Sequence, residues 1–288
     1  MNKLKIGTCS WKYESWRGIV YPEFGDFNFL EEYSKQYNSV EIDQWFWSLH
    51  KNKAILPKSA TVKDYADSVP DDFLFTIKLP NSLTLTHPYK SKEANPFFLS
   101  NDLMDSFLDS IDYMKDKIGM LMFQFEYLNK QKMNSLGEFI SKLEPFFQNL
   151  NRKYSYGIEI RNPNYLNESF FQFLKAHDIS MVFLQGYFMP QITEVYQKAG
   201  NYLNNKAVIR LHGYDRKGIE EKTNEIWNSI VEPKDDELEK IIIMIKDLLN
   251  KEIDVFMNVN NHYEGSAPLT IEKINKMLKV IIKLNQSA

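Results

Sequence analysis

Eight short apolar segments recur along this chain, and stretches with helical periodicity separate them. The segments lie near residues 4–9, 39–44, 73–78, 119–124, 156–161, 180–184, 207–212 and 252–258. Several are apolar at almost every position, such as ISMVFL at 179–184, which is typical of strands covered by helices on both faces. Strands that alternate with helices predict an α/β fold with a parallel sheet, and eight repeats predict a closed (β/α)8 TIM-type barrel.

The length of the chain fits one such barrel. It has 288 residues and a mass of 34.0 kDa, and a (β/α)8 barrel typically needs about 250 residues. No linker composition, internal repeat or low-complexity tract divides the sequence. We therefore predict a single domain over residues 1–288.

Charge and cysteine content restrict the partners and the compartment. Lys and Arg total 35 against 38 Asp and Glu, and the net charge of -3 gives no general attraction to nucleic acid or to an anionic membrane. The longest apolar run, IIIMI at 241–245, is far shorter than the ~20 residues of a membrane helix. Cys9 is the only cysteine, which excludes a disulfide within the chain and fits a reducing compartment. These features predict a cytoplasmic protein without a membrane partner.

Polar side chains stand where the apolar segments end. In a parallel barrel the carboxyl ends of all strands meet at one mouth, and the active sites of such enzymes lie there. We therefore expect a site built by the strand-end residues Glu41, Asp43, Lys78, Gln124, Glu159, Arg161, Arg210, His212, Asn258 and Asn260. Two long connections, 79–96 and 185–206, are expected to line the mouth together with residues 10–21 and 43–50.

Glu41 and Glu159 are the candidate catalytic residues. Two carboxylates at one mouth can act as proton donor and proton acceptor when their surroundings separate their pKa values. The alternative is a structural salt bridge inside the barrel, Glu159 to Arg161 or Glu41 to Lys78. The sequence leaves both interpretations open.

The remaining strand-end residues are candidates for binding a substrate. Lys78, Arg161 and Arg210 suit a carboxylate or a phosphate group, although they could instead only neutralise the nearby acids. Amides such as those of Asn258 and Asn260 suit a hydroxyl-rich ligand, or else they satisfy loop backbone.

Tryptophans in the first loops add apolar faces to this set. Sugar rings and nucleobases both stack on such faces. We expect at least two of Trp11, Trp16 and Trp45 to line the pocket, with core packing as the alternative. The residues predicted to bind substrate are Trp11, Trp16, Asp43, Trp45, Lys78, Gln124, Arg161, Arg210, His212, Asn258 and Asn260.

Motifs for metals and cofactors are absent from the sequence. It has no HExxH and no paired CxxC, and no GxGxxG follows a strand, so we predict neither a metal nor a nucleotide cofactor. Cys9 ends the first strand, but no histidine stands beside it in the sequence. We therefore expect a buried thiol there rather than a catalytic nucleophile.

Seven ordered segments span nearly the whole chain: GTCSWKYESWRGIVYP, SVEID, FTIKLP, LMFQF, YGIEIRNPNYL, IRLHG and NVNNHYEGSAP. In this order they resemble the motifs of the YecE-like family, a domain of unknown function numbered 72. The resemblance implies a closed β/α barrel and a loose similarity to sugar isomerases. After SVEID the chain departs from the family pattern, since residues 44–47 read QWFW in place of a small polar residue, Phe and Tyr.

Together these features predict a TIM-barrel enzyme, an isomerase or a hydrolase, that uses carboxylate acid–base chemistry. Its partner is expected to be a small polar ligand that is carbohydrate-like or phosphorylated, including anionic forms. One alternative is a non-catalytic binder of a small ligand. Another is a nucleic-acid-processing enzyme that stacks a base on the loop tryptophans, which steep salt dependence of binding would reveal.

Overall fold

The computed structural model describes residues 3–50 and 53–286, with side chains as far as residue 279. Eight strands form one parallel sheet, and two short strands form a separate hairpin. The strands are β1 (Leu4–Thr8), β2 (Ser39–Ile42), β3 (Leu49–His50), β4 (Lys53–Ala54), β5 (Leu74–Lys78), β6 (Ile118–Gln124), β7 (Tyr156–Glu159), β8 (Ser180–Gly186), β9 (Lys206–Gly213) and β10 (Asp254–Val259). The sheet has the order β1, β10, β9, β8, β7, β6, β5, β2, and β3 pairs with β4.

Helices connect the strands of this sheet. They are α1 (Phe29–Ser34), α2 (Ser59–Asp67), α3 (Asn81–Thr84), α4 (Asn101–Ser110), α5 (Leu136–Gln148), α6 (Glu168–Ala176), α7 (Ile192–Ala199), α8 (Arg216–Thr223), α9 (Asp235–Asn250) and α10 (Ala267–Gln286). Short 3-10 helices lie at Glu14–Trp16, Asp112–Lys117, Pro163–Tyr165 and Gly200–Tyr202. The alternation of strand and helix around eight parallel strands confirms the predicted (β/α)8 TIM-type fold.

The structure divides into two compact units. The first contains the chain up to Val40, Phe183–Gln197 and the chain from Asn205 onward. The second contains Glu41–Val182 and Lys198–Asn204. A single domain over residues 1–288 stays a prediction from the sequence.

In the first unit, β10 lies between β1 and β9. Its register places Asn258 opposite Gly7 on one side and opposite Arg210 on the other. One face of α9 is apolar and buried, and it consists of Leu238, Ile241, Ile242, Met244, Ile245 and Leu248. Three acidic residues in the first turn of α9 stabilise the amino terminus of this helix, because the helix dipole is positive there.

In the second unit, phenylalanines pack around β6. Phe123 has no exposed surface and makes edge-on contacts with Phe146 and Phe147 of α5, at ring-centre distances of 5.5 Å and 5.3 Å. Each such pair contributes about 0.5–1.5 kcal/mol beyond the burial of its area. This packing fixes the end of β6, where Gln124 stands opposite Glu159 in the register with β7.

None of the helices in the described part of the chain is long and apolar enough to cross a membrane.

Candidate functional site

The second unit holds an ion pair with a buried carboxylate at the carboxyl end of β7. Arg161 donates from Nε to Oε1 of Glu159 at 2.7 Å, and its Nη2 lies 2.7 Å from the same oxygen. The Glu159 side chain is 1 % exposed and the Arg161 side chain is 19 % exposed. Nη2 of Arg161 also donates to Oε1 of Gln124 at 3.3 Å. Three predicted site residues therefore form one cluster.

Asn162 holds the backbone around this cluster. Leu128 donates its backbone N–H to Oδ1 of Asn162 at 2.8 Å, and Nδ2 of Asn162 donates to the Leu128 carbonyl at 2.9 Å. Phe125 donates its backbone N–H to the Glu159 carbonyl at 2.9 Å. The loop after β6 is thus tied to the turn after β7. Sequence reasoning did not select Asn162, although it directly follows the polar pair of YGIEIRN.

The loop after β2 contributes a cation–π contact in the same unit. Nζ of Lys78, at the end of β5, lies 4.1 Å from the ring centre of Phe46. Lys78 is buried, and Glu41 at the end of β2 has no exposed surface. Trp45 stacks on Tyr65 at 6.0 Å between ring centres, so its ring packs against α2.

The first unit brings Cys9 and His212 together, although 203 residues separate them in the sequence. Sγ of Cys9 lies 3.6 Å from Nε2 of His212, and the hydroxyl of Tyr187 lies 3.2 Å from Nδ1 of the same ring. Cys9 and His212 are buried. The sequence showed no histidine beside Cys9, because only the pairing of β1 and β9 with β10 brings the two strand ends close.

A contact between two glycines positions Tyr187. Gly186 has a φ of 139°, and a Cβ at that position would lie 2.2 Å from the carbonyl oxygen of Gly213. Tyr187 itself has a φ of 53°, in the left-handed region, and donates its backbone N–H to the Gly213 carbonyl at 2.9 Å. Left-handed backbone at a non-glycine residue costs about 1–3 kcal/mol and concentrates at functional sites.

Asn260 takes part in a local network in the loop after β10. Its Oδ1 accepts from the backbone N–H of His262 at 3.0 Å and contacts the His262 ring at Nδ1. Nε2 of His262 lies 3.0 Å from Oε1 of Glu220. Burial lowers the pKa of His262, while its hydrogen bond to Glu220 acts in the opposite direction. Asn260 thus satisfies one backbone group of this loop, and its role in binding a ligand stays a prediction.

The neighbouring strand-end pair consists of Arg210 and Asn258. They are aligned in the register between β9 and β10, and both side chains are buried.

Two of the predicted tryptophans belong to the buried aromatic region of the first unit. Trp16 has no exposed surface, and its ring centre lies 4.6 Å from Tyr13 and 6.2 Å from Tyr21. Tyr21 donates its hydroxyl to the carbonyl of Trp11, and burial raises the Tyr21 pKa. Trp11 is buried as well. The tryptophan with a largely exposed ring is Trp47, which sequence reasoning left out of the site.

Trp47 lines a cavity of about 650 Å³ within the second unit. The connections 43–50 and 79–96 both contribute walls, as do residues of the loop after β6. These are two of the four segments that the sequence assigned to the mouth. Its volume lies within the range of about 300–1,000 Å³ that is usual for small-molecule sites.

No group of three or more His, Cys, Asp or Glu side chains in the described part of the chain is arranged to hold a metal ion.

Comparison with known proteins places the chain in a family. The model of the family described as "Protein of unknown function DUF72" matches residues 5–287. The chain belongs to the DUF72 family. The YecE-like resemblance seen in the sequence refers to this same family.

Crystal structures of two DUF72 family proteins share the fold of this one. The protein from Thermotoga maritima is 20 % identical with a TM-score of 0.65, over 96 % of this chain and 99 % of that chain. The protein from Enterococcus faecalis V583 is 18 % identical with a TM-score of 0.68, over 96 % and 95 % of the two chains. Identities this low establish a shared fold and no more. No curated protein matches the chain.

Proposed function

We propose that this DUF72 protein is an enzyme that acts on a small polar ligand, carbohydrate-like or phosphorylated, by carboxylate acid–base chemistry. The observation that carries the proposal is the buried Glu159 carboxylate at the end of β7, held by Arg161 beside Gln124. Residues at the carboxyl ends of barrel strands are where enzymes with this fold perform their chemistry. The sugar-isomerase relationship and a cytoplasmic location belong to the same proposal.

Arg161 favours the ionised form of Glu159, because an adjacent guanidinium stabilises a carboxylate. In that form Glu159 is a proton acceptor. In an isomerase it would take a proton from the carbon next to a carbonyl, and in a hydrolase it would take one from the attacking water. Gln124 supports Arg161 from β6, so the base is held in a fixed orientation.

Glu41 is the proposed proton donor. It stands at the end of β2 without exposed surface.

The alternative from the sequence, a non-catalytic binder, uses the same side chains without proton transfer. A ligand screen separates the two. Thermal-shift measurements against neutral sugars, sugar phosphates and nucleotides identify ligands, and NMR in D₂O then follows each one for deuterium uptake, isomerisation or hydrolysis.

For an enzyme, we expect at least one ligand to be converted by the parent. Glu159→Gln and Glu41→Gln should each slow conversion by about 100-fold or more, and Glu239→Gln, an exposed carboxylate of α9, should not. Ligands that raise the melting temperature but never change chemically would identify a binder.

A further inference from the structure

We propose that the cavity of the second unit is a binding site for a sugar phosphate, with the phosphate on Lys90 and Lys92 and the sugar ring against Trp47 and Tyr89. All four residues line this cavity of about 650 Å³. The inference rests on the proposed function for the chemical class of the ligand. It goes beyond that proposal, because the residues that line the cavity do not include Glu41 or Glu159.

The walls of the cavity are held in place before any ligand binds. Asn81, at the start of α3, is buried, and its Oδ1 accepts from the backbone N–H groups of Ser48 and Leu49 at 3.1 Å and 2.9 Å. The backbone N–H of Asn81 donates to the Phe46 carbonyl at 2.7 Å. One side of the cavity, which carries Trp47, is therefore fixed to the loop after β5.

A second buried asparagine, Asn95, fixes another wall of the cavity. Nδ2 of Asn95 donates to the carbonyls of Ser82 and Leu85 at 2.7 Å and 2.6 Å. Its backbone N–H donates to the Thr86 carbonyl at 2.9 Å. The segment between Thr86 and Asn95, which carries both lysines, is closed at its base by these bonds. Binding to walls that are already ordered costs less conformational entropy.

The charge of the lining favours an anion. Lys132 forms an ion pair with Glu126, and Glu126 also accepts from the Thr86 hydroxyl at 3.0 Å. That carboxylate is therefore already engaged. Lys90 and Lys92 form no ion pair with any carboxylate in the described part of the chain. The cavity thus carries two cationic groups whose charge no described side chain neutralises.

The backbone at Lys90 supports the same assignment. Lys90 has a φ of 59°, in the left-handed region that lysine rarely adopts, and the turn is closed by the Ser91 N–H, which donates to the Pro88 carbonyl at 2.9 Å. Strain of this kind persists where surrounding contacts hold it and is frequent at ligand-binding segments. Lys90 Nζ lies over the Tyr89 ring at 5.3 Å from the ring centre, so the ammonium and the ring lie close together.

Two aromatic faces complete the site. Trp47 is 71 % exposed and Tyr89 is 87 % exposed, which is unusual for side chains this large. Trp47 contacts Phe46 edge-on at 5.1 Å, so its ring is supported from one side. The carbon-bound faces of a sugar ring stack on such surfaces, and the polar lining groups Asn81, Ser91 and Gln131 suit its hydroxyls.

The test is calorimetric titration with glucose 6-phosphate, fructose 6-phosphate, ribose 5-phosphate, glucose, inorganic phosphate and AMP. We expect at least one sugar phosphate to bind about tenfold or more tightly than glucose and than phosphate alone, since both the ring and the anion are recognised. The double variant Lys90→Ala/Lys92→Ala should weaken that binding about tenfold or more. Trp47→Ala should weaken it as well.

The matched control is Lys153→Ala/Lys240→Ala, which removes the same charge from exposed positions outside the cavity. It should change affinity less than about twofold. Three results would overturn the site. They are equal affinity for glucose and the sugar phosphates, no binding of any probe at about 10 mM ligand, and equal effects of the two double variants. Tighter binding of AMP than of every sugar phosphate would overturn the assignment of a sugar ring.

Failure of this inference is distinguishable from failure of the proposed function. Glu159→Gln should retain sugar phosphate affinity while turnover falls, whereas the lysine variant should lose affinity. If the lysine variant loses affinity but the parent shows no turnover, the cavity assignment stands and catalysis is contradicted.

Discussion

Nε of Arg161 donates to Oε1 of Glu159 at 2.7 Å across only two residues of sequence, and the carboxylate has almost no contact with solvent. A buried carboxylate needs such a partner, because an isolated buried charge is strongly unfavourable. The same contact serves a structural ion pair and a pre-oriented base equally well. A structural ion pair and a catalytic base respond differently when the charge is removed. Measurements of stability and turnover on one variant therefore separate the two roles.

Substitution Gly186→Ala should destabilise the first unit and disturb the side chains that meet at His212. The added Cβ would lie 2.2 Å from the Gly213 carbonyl oxygen, which is part of the backbone and cannot move aside without shifting β9. We expect a loss of about 3 kcal/mol or more in the free energy of unfolding, measured by denaturant titration.

Gly25→Ala is the matched control for this change. Gly25 has a φ of 92°, but a Cβ there would meet nothing within 4 Å. It should cost only the backbone strain, about 1–2 kcal/mol. Equal losses in the two variants would show that the close approach of Gly186 and Gly213 has no energetic importance.

His262 should make the protein less stable on the acid side of neutrality. Burial lowers its pKa below the ordinary 6.5, so the unfolded chain takes up a proton at a pH where the folded protein does not. The unfolded state then binds more protons, and the free energy of unfolding falls as the pH drops from 6.5 through the folded pKa of His262. His262→Gln should flatten this part of the profile of stability against pH.

Glu220 affects the free energy of unfolding in a separate, more acidic pH range. Its pKa lies below the ordinary 4.5, chiefly because of the hydrogen bond from Arg216, so its stabilising contribution is present above pH 4.5 and is lost at lower pH. An unchanged slope between pH 6.5 and 4.5 in His262→Gln would contradict the assignment to His262.

Cys9 should react with iodoacetamide at a rate that depends on His212. Because Cys9 is the only cysteine, mass spectrometry of the intact chain reports this thiol alone. The imidazole Nε2 at 3.6 Å is placed to accept the thiol proton, and the thiolate is the reacting species. We expect His212→Gln to slow alkylation of the folded protein about tenfold or more.

Tyr187→Phe keeps the ring beside His212 and removes the hydroxyl that contacts Nδ1, so a smaller decrease is expected. In guanidinium chloride all three proteins should react alike, which corrects for intrinsic reactivity. Equal rates for the folded parent and His212→Gln would assign the contact between Cys9 and His212 to packing.

The sequence predicted the strands well because each is a short apolar run that a polar residue ends. The apolar pattern of YGIEIR gave the correct strand but extended it to Arg161, whereas β7 ends at Glu159. Within the site, the pairing of Glu159 with Arg161 was predicted as one of two alternatives, since alternation along an extended segment places both on one side.

Contacts between distant segments could not be predicted in this way. The meeting of Cys9 with His212 depends on the order of strands in the sheet, which sequence periodicity does not contain. The exposure of Trp47, in contrast to the burial of Trp16, depends on how each loop folds back. A tryptophan in a loop has the same local signature in either case.

The most direct test of the proposed chemistry measures melting temperature and turnover on Glu159→Gln. Glutamine keeps the shape and an oxygen that accepts a hydrogen bond from Arg161, but it cannot take up a proton at neutral pH. With Glu159 as the base, we expect the melting temperature to stay within about 3 °C of the parent and turnover to fall about 100-fold or more. A loss of about 3–5 kcal/mol in stability, with turnover per folded molecule unchanged, would contradict a catalytic Glu159 and leave it a structural partner of Arg161.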